Sequence, residues 1–169
     1  MKSDYFGRIE KGIMGITPEN KFSISYFAKD VDVYLDLECD DDGNEIETLP
    51  TDDEILEYEH TLKEFIENID GVINDIKEKA FRYYKEEKEP YGYGEDIPLI
   101  NNASEHFKYM KDLQIRVLKD KRILLQIINY EIDEEHAMEI LLKDNLVYKI
   151  AEAGGYVLYE DEWIFNKKN

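Results

Sequence analysis

The spacing of apolar residues changes twice along the chain, and this change most constrains what the chain can fold into. From Lys21 to Glu38, apolar and polar residues alternate, which is typical of strands with one buried and one wet face. Between Thr51 and Glu86, apolar residues recur at steps of three, four or seven, the period of a helix with one apolar face. Strand-like runs return from Leu113 onward. The sequence therefore predicts an α+β fold.

The first alternating segment, KFSISYFAKDVDVYLDLE, predicts a β-hairpin. Phe22, Ile24 and Tyr26 fall on one side of its first strand. The second strand, residues 31–37, has Val and Leu on one side and mainly acids on the other. The residues between them, Ala28–Asp30, form the predicted turn.

The central segment begins with a helix start signal. Thr51 is a good N-cap, and Glu54 three residues later completes the capping-box pattern. The segment is either one helix of about nine turns or two helices, with Asn68 or Asp70 capping the second. Because the stripe stays in phase across Gly71, a continuous, bent helix is favoured. The stripe consists of Ile55, Leu62, Ile66, Ile69, Ile73, Ile76, Ala80 and Tyr84.

The C-terminal part predicts an antiparallel β-meander. Its strand signals are LQIRVLKD, RILLQIINYEI, AMEILLKDNLVYKIAEA and YVLYEDEWIF, with KDK, DEEH and KDN as turns. A short helix over 104–109, capped by Ser104, precedes them, and a glycine-rich early strand is possible near 7–16. We expect one domain, residues 1–169, with the helical stripe packed on one face of the sheet.

Negative charge dominates the composition. Forty acids against twenty-one lysines and arginines give a net charge of −19. The segment from Lys29 to His60 holds fourteen acids and one lysine. Such a surface repels the phosphates of nucleic acids and anionic membranes, and it attracts basic proteins. The alternative is that the charge serves only solubility.

The sequence also bears on the cellular location. No apolar run is long enough for a membrane span, and the start, MKSDYFGRIEKG, lacks the apolar region of a signal peptide. Cys39 is the single cysteine, so no internal disulfide forms. We expect a cytoplasmic protein.

The acidic stretch from Leu37 to Glu54 resembles a calcium-binding loop only in part. Asp40, Asp42 and Asn44 fall at positions 1, 3 and 5 of that pattern. The pattern then needs glycine at position 6 and glutamate at position 12, where this chain has Glu45 and Thr51. We therefore expect no specific metal ion.

No catalytic motif is present in the sequence. Glu57 and His60 have the spacing used in di-iron bundles, but only one copy occurs, so a solvated pair is the expectation. His136 falls in a predicted turn and needs no special role. Cys39 lies among carboxylates, which disfavour a reactive thiolate. We expect neither enzymatic activity nor a cofactor.

Tyrosine is the remaining distinctive residue type, with thirteen copies. Tyrosines beside charged residues are favoured at protein interfaces, and the alternative is a core position with a wet hydroxyl. The predicted partner-binding residues are Asp40, Asp41, Asp42, Glu45, Glu47, Asp52, Asp53, Tyr91 and Tyr93.

The order of these parts resembles that of a group of small acidic bacterial proteins of unassigned function. The shared pattern is a strand pair, an acidic linker, a helical stretch (TDDEILEYEHTLKEFIENIDGVINDIKEKAFRYYKE) and a β-hairpin whose turn has acidic residues before Glu and His. The resemblance covers residues 22–155. The glycine usual after the Glu–His turn is Ala137 here.

Members of such groups often resemble immunity proteins of polymorphic toxin and contact-dependent inhibition systems. The resemblance implies an inhibitor that binds a cognate, basic toxin domain, and dense negative charge suits that task. The alternative is an acidic adaptor or regulatory module without a toxin partner. The sequence does not indicate the oligomeric state.

Overall fold

The computed structural model describes residues 1–12, 15–35, 49–91, 99–133 and 136–153. These residues form an α+β fold with one mixed sheet, as the sequence predicts. The strands are β1 (Lys2–Ser3), β2 (Gly7–Gly12), β3 (Gly15–Pro18), β4 (Phe22–Ile24), β5 (Ala28–Leu35), β6 (Met110–Val117), β7 (Arg122–Tyr130), β8 (Met138–Lys143) and β9 (Leu146–Glu152). The helices are α1 (Asp52–Glu67), α2 (Ile69–Tyr83) and the short α3 (Ala103–His106).

The sheet has the strand order β1-β2-β3-β5-β6-β7-β8-β9, and β4 pairs with β5 beside this path. The predicted antiparallel meander is confirmed in β6 to β9, with turns at KDK and KDN. One pair differs: β5 and β6 run parallel, with Asp32 opposite Gln114 and Leu35 opposite Val117. This parallel pair joins the N-terminal strands to the meander. The further predicted strand, YVLYEDEWIF, lies outside the described residues.

The predicted N-terminal hairpin exists as β4 and β5, with Phe22 opposite Val31. Its turn is not at Ala28–Asp30 but three residues earlier, around Tyr26. The backbone of Tyr26 has a φ of 80°, and 54% of the residue is exposed. Its hydroxyl donates a hydrogen bond to Asp70 Oδ1 at 2.5 Å. The alternation in the sequence therefore misplaced this aromatic residue on the inner face.

The central segment consists of two in-phase helices. Both bonds of the capping box between Thr51 and Glu54 are present at the start of α1. Asn68 ends α1 and precedes α2: its backbone is non-helical, and its side-chain amide donates to the Glu64 carbonyl at 2.8 Å. This local hydrogen bond competes with continuation of the helix. Two helices, rather than the favoured single one, result.

The helices pack on one face of the sheet, as predicted. Tyr58, Leu62 and Phe65 of α1 are buried in the same cluster as strand residues from both ends of the chain. Ile66 and Ile69 of the predicted stripe, which lie on either side of the break at Asn68, are only partly buried. None of the described helices is long and apolar enough to cross a membrane.

Side chains from α2 bind the backbone of β9, the last strand of the described sheet. The Val147 amide donates to Asp75 Oδ2 at 2.7 Å, and the Val147 carbonyl accepts from Lys79 Nζ at 2.9 Å. Lys79 and Asp75 also pair with each other at 3.0 Å. The register on β8 shifts at this point. At Val147, side chains of α2 thus bind both the amide and the carbonyl of the backbone.

The short helix α3 begins one residue before the residue predicted to cap it. The N-cap is Asn102, not Ser104, and Asn102 Oδ1 accepts the Glu105 amide at 2.9 Å. Asparagine is as good an N-cap as serine, but only Ser104 was predicted in this role. The position of this cap brings His106 into the core.

Candidate functional site

The start of α1 carries an exposed acidic surface with an apolar residue on it. Asp52 and Asp53 are exposed in the first helical turn, where carboxylates also favour the positive end of the helix dipole. Leu56 follows at the helical spacing that puts it on the same face, and 61% of it is exposed. We call these three residues the α1 patch. It combines exposed charge with an uncovered aliphatic side chain.

Other acids of α1 hold the β6–β7 turn. Glu54 Oε1 accepts from Lys119 Nζ at 2.6 Å, and the Asp120 amide donates to Glu57 Oε1 at 2.9 Å. The hydrogen bond from Lys119, together with those from Thr51, lowers the pKa of Glu54 to about 2. These carboxylates therefore make contacts within the fold, whereas those of the α1 patch face solvent.

The predicted pair of Glu57 and His60 is not formed. His60 Nε2 lies 3.4 Å from Glu64 Oε1 instead, one full helical turn away. Glu64 also lies 3.5 Å from Lys121, and Glu57 turns toward the β6–β7 turn. The pairing at i, i+4 follows from ordinary helix geometry and gives no metal-binding arrangement on α1.

Most of the predicted partner-binding residues lie outside the described residues. These are Asp40, Asp41, Asp42, Glu45, Glu47 and Tyr93. Tyr91 closes a 3₁₀ turn, Glu89–Tyr91, and its side chain is outside the described set. Of the predicted residues, Asp52 and Asp53 are those that the structure brings together.

A second cluster, which the sequence did not predict, surrounds a buried lysine. Lys88 is 2% exposed, and its ammonium lies 2.6 Å from Asp133 Oδ2 and in contact with Glu152 Oε1. His136 Nδ1 lies 3.1 Å from the other oxygen of Asp133. We call these four residues the Lys88 cluster. It joins the end of the helical segment, the β7–β8 turn and the end of β9.

Local helix geometry places Lys88 in the cluster. α2 continues into a π-helical turn, Tyr84–Lys88, and such turns are frequent at functional sites. Tyr83, Tyr84 and Lys88 all point inward there. In the sequence, Lys88 sits in KEEKEP, a run that is typical of a solvated surface. Only its position four residues after Tyr84, the last member of the apolar stripe, signals that this lysine is buried.

The charges of the cluster support one another. Burial alone would lower the pKa of Lys88, but hydrogen bonds to Asp133 and Glu152 outweigh it and raise that pKa. For Asp133, burial raises the pKa, and the hydrogen bonds from Lys88 and His136 bring it below its usual value. Lysine and aspartate therefore both stay charged at neutral pH.

Three members of the cluster have the chemistry of metal ligands. One ligand atom each from Asp133, His136 and Glu152 lies within 4.8 Å of the other two. Imidazole nitrogen and carboxylate oxygen are donors that zinc and similar divalent ions accept. The ammonium of Lys88 lies against both carboxylates.

His106 and Tyr130 form a neutral polar pair in the core. His106 is fully buried, and its Nε2 lies 2.8 Å from Tyr130 Oη, with the Tyr84 ring 5.3 Å away. Burial lowers the pKa of His106 to about 4 and raises the pKa of Tyr83 to about 12. These tyrosines are core residues, as the alternative interpretation of the tyrosine clusters has it, but the Tyr130 hydroxyl is bonded to a buried histidine and is not a wet one.

The fold and these two sites define a class: an acidic α+β protein with a mixed sheet, an exposed acidic helix start and a buried ion cluster. No curated protein and no solved structure matches the chain. A family model does match, that of the domain of unknown function DUF6985, over residues 5–158. The chain belongs to this family.

Proposed function

We propose that this protein is an immunity-type binding protein, which neutralises a basic bacterial toxin domain by direct association. The observation that carries the proposal is the α1 patch: Asp52 and Asp53 are exposed, unlike Glu54, which bonds to Lys119, and Leu56 is exposed beside them. The patch begins five residues after the last of Asp40, Asp41, Asp42, Glu45 and Glu47, within the same acid-rich segment. Location in the cytoplasm and absence of catalytic activity are parts of the proposal.

Charge and apolar exposure have separate roles in this proposal. A chain with a net charge of −19 steers a basic partner toward itself and accelerates the encounter. An aliphatic side chain such as Leu56 then supplies desolvated contact, since interfaces combine an apolar centre with a polar rim. The patch offers both within about one helical turn.

The contacts below the patch favour binding by keeping α1 in place. The helix is fixed to the β6–β7 turn by the bond between Glu54 and Lys119 and by that between Glu57 and the Asp120 amide. A surface that is already ordered costs less conformational entropy on association. The proposed partner therefore meets a rigid helix face.

The direct test is rescue from toxicity. Immunity genes lie next to toxin genes, so the C-terminal domain encoded by the preceding gene is expressed in a laboratory host with and without this chain. We expect growth arrest without the chain, growth with it, and a stable complex in size-exclusion chromatography. If no neighbouring gene encodes a toxic product and the chain binds some other protein, the result would instead support the acidic adaptor.

The role of the acidic surface is tested by association kinetics. Five charges are removed by Asn or Gln substitution at Asp40, Asp41, Asp42, Glu45 and Glu47. Association with the toxin domain should slow by about tenfold at low salt, and the difference should shrink as salt rises, because screening acts beyond about 8 Å at physiological ionic strength.

A control variant separates the position of the charges from their number. It removes five exposed acids elsewhere, by substitution of Glu10, Glu78, Glu86, Asp112 and Asp144. We expect a much smaller effect on association, and thermal melts of both variants close to that of the unmodified chain. Equal association rates for both variants at every salt concentration would contradict a specific acidic binding surface.

A further inference from the structure

We infer that Lys88 is a built-in cation: its ammonium occupies the position that Asp133, His136 and Glu152 would otherwise offer to a divalent metal ion such as Zn²⁺. Removal of the lysine side chain should therefore turn the Lys88 cluster into a metal site. The inference concerns a site of the fold that the proposed binding function does not use.

The first support is the ligand geometry. Ligand atoms around a tetrahedral ion at about 2.1 Å lie roughly 3.4 Å apart, and one donor atom from each of the three residues falls within 4.8 Å of the others. Small side-chain rotations close that difference. One nitrogen and two carboxylate donors leave a further position for water, as open zinc sites do.

The second support is where the ammonium lies. Lys88 Nζ is 2.6 Å from Asp133 Oδ2 and contacts Glu152 Oε1, so it sits between both carboxylates. The side chains of Lys88 and Asp133 are 3% and 8% exposed, so water screens their charges poorly, whereas that of Glu152 is 42% exposed. A buried carboxylate with a second one at close range demands a cation, and the lysine supplies it.

The third support is the histidine. An ion pair between Lys88 and the two carboxylates needs no further ligand atom. A possible third ligand is nevertheless present, because His136 Nδ1 lies 3.1 Å from the Asp133 oxygen that Lys88 does not bind. Lys79 provides the contrast: it binds one carboxylate, Asp75, and the Val147 carbonyl. Among the described residues, the group of three possible metal ligands is at Lys88 and not at Lys79.

The built-in cation makes the fold independent of metal supply. Lys88 connects the helical segment to the β7–β8 turn through Asp133 and to the end of β9 through Glu152. Structural metal ions connect chain segments in the same way. A covalently attached ammonium does so without competition from chelators.

The experiment measures melting temperature with and without Zn²⁺ or Co²⁺ for the full chain and for Lys88→Ala. Without metal, the substitution should lower the melting temperature by about 10 °C, because the buried Asp133 carboxylate and the half-exposed Glu152 carboxylate lose their counter-ion. Metal at a hundredfold excess over its Kd should then raise it by about 5 °C or more. The unmodified chain should show no comparable shift, and bound Co²⁺ should give visible absorption only in the variant.

Three further variants make the result decisive. Lys79→Ala removes a lysine from one carboxylate and should gain no metal response. Lys88→Ala combined with Asp133→Asn should lose it. If Lys88→Ala does not fold without metal, Zn²⁺ should restore its helical circular dichroism, and the milder Lys88→Gln should show the metal-dependent shift. Absence of any metal effect in both Lys88 variants, or an equal effect in Lys79→Ala, would overturn the inference.

Discussion

Acidification should destabilise this fold through His106. The side chain is fully buried, its Nε2 is bonded to Tyr130 Oη at 2.8 Å, and it packs against the Tyr84 and Phe81 rings. Its Nδ1 has no hydrogen-bond partner among the described residues. A proton added to this ring would place an uncompensated charge in the core.

The magnitude follows from the two pKa values. Burial lowers the pKa of His106 in the folded state from 6.5 to about 4, so between these values the unfolded chain binds the proton and the folded chain does not. The contribution of neutral His106 to the free energy of unfolding is complete above pH 6.5 and is lost as the pH falls toward 4. Between pH 7.5 and 5.0 the free energy of unfolding should fall by about 2 kcal/mol on this account.

The assay is urea unfolding at several pH values for the unmodified chain and for His106→Gln, which keeps a polar group for Tyr130. Carboxylates also titrate in this range and affect both chains. The informative quantity is therefore the difference between the unfolding free energies of the two chains at each pH. We expect that difference to change by about 2 kcal/mol over the interval. His60→Gln, at an exposed histidine, is the matched control and should follow the unmodified chain. Parallel profiles for His106→Gln and the unmodified chain would refute the reasoning.

Three further predictions concern stability and are measured by urea unfolding. Thr51→Ala should cost about 1 kcal/mol, because it removes one side of the capping box, and Thr51→Ser should restore most of it. Leu62→Ala, at a fully buried position, should cost about 2–5 kcal/mol, whereas Leu56→Ala, largely exposed, should cost less than about 0.5 kcal/mol. Asp75→Ala should cost about 1–3 kcal/mol, because the Val147 amide loses its acceptor; hydrogen exchange at that amide should accelerate, and unchanged exchange would argue against the contact.

The parts of the fold that depend on local signals could be predicted from the sequence. The capping box at Thr51, the apolar stripe through Leu62 and Ile76, and the meander from Met110 to Glu152 all follow from patterns within a few residues. The hairpin was predicted as well, but its turn was misplaced, because an exposed Tyr26 at positive φ breaks the alternation.

The parts that depend on distant residues could not be predicted. The charged residues around Lys88 are typical of a solvated surface. Its burial depends on Asp133 and Glu152, which lie far along the chain. His106 likewise depends on Tyr130. For the candidate site, the sequence indicated Asp52 and Asp53 but gave no reason to single out Leu56, because its exposure depends on which helix face the sheet covers.

The parallel pairing of β5 with β6 has a consequence for how the chain folds. The strands β6 to β9 follow one another through short turns, so their contacts are local and form early at low entropic cost. β5 and β6 are separated by the chain between Leu35 and Met110, which contains the three described helices. Closure of so long a loop is slow. We therefore expect docking of the N-terminal strands to be the late step in folding. We also expect the sheet to open first between β5 and β6 under denaturant.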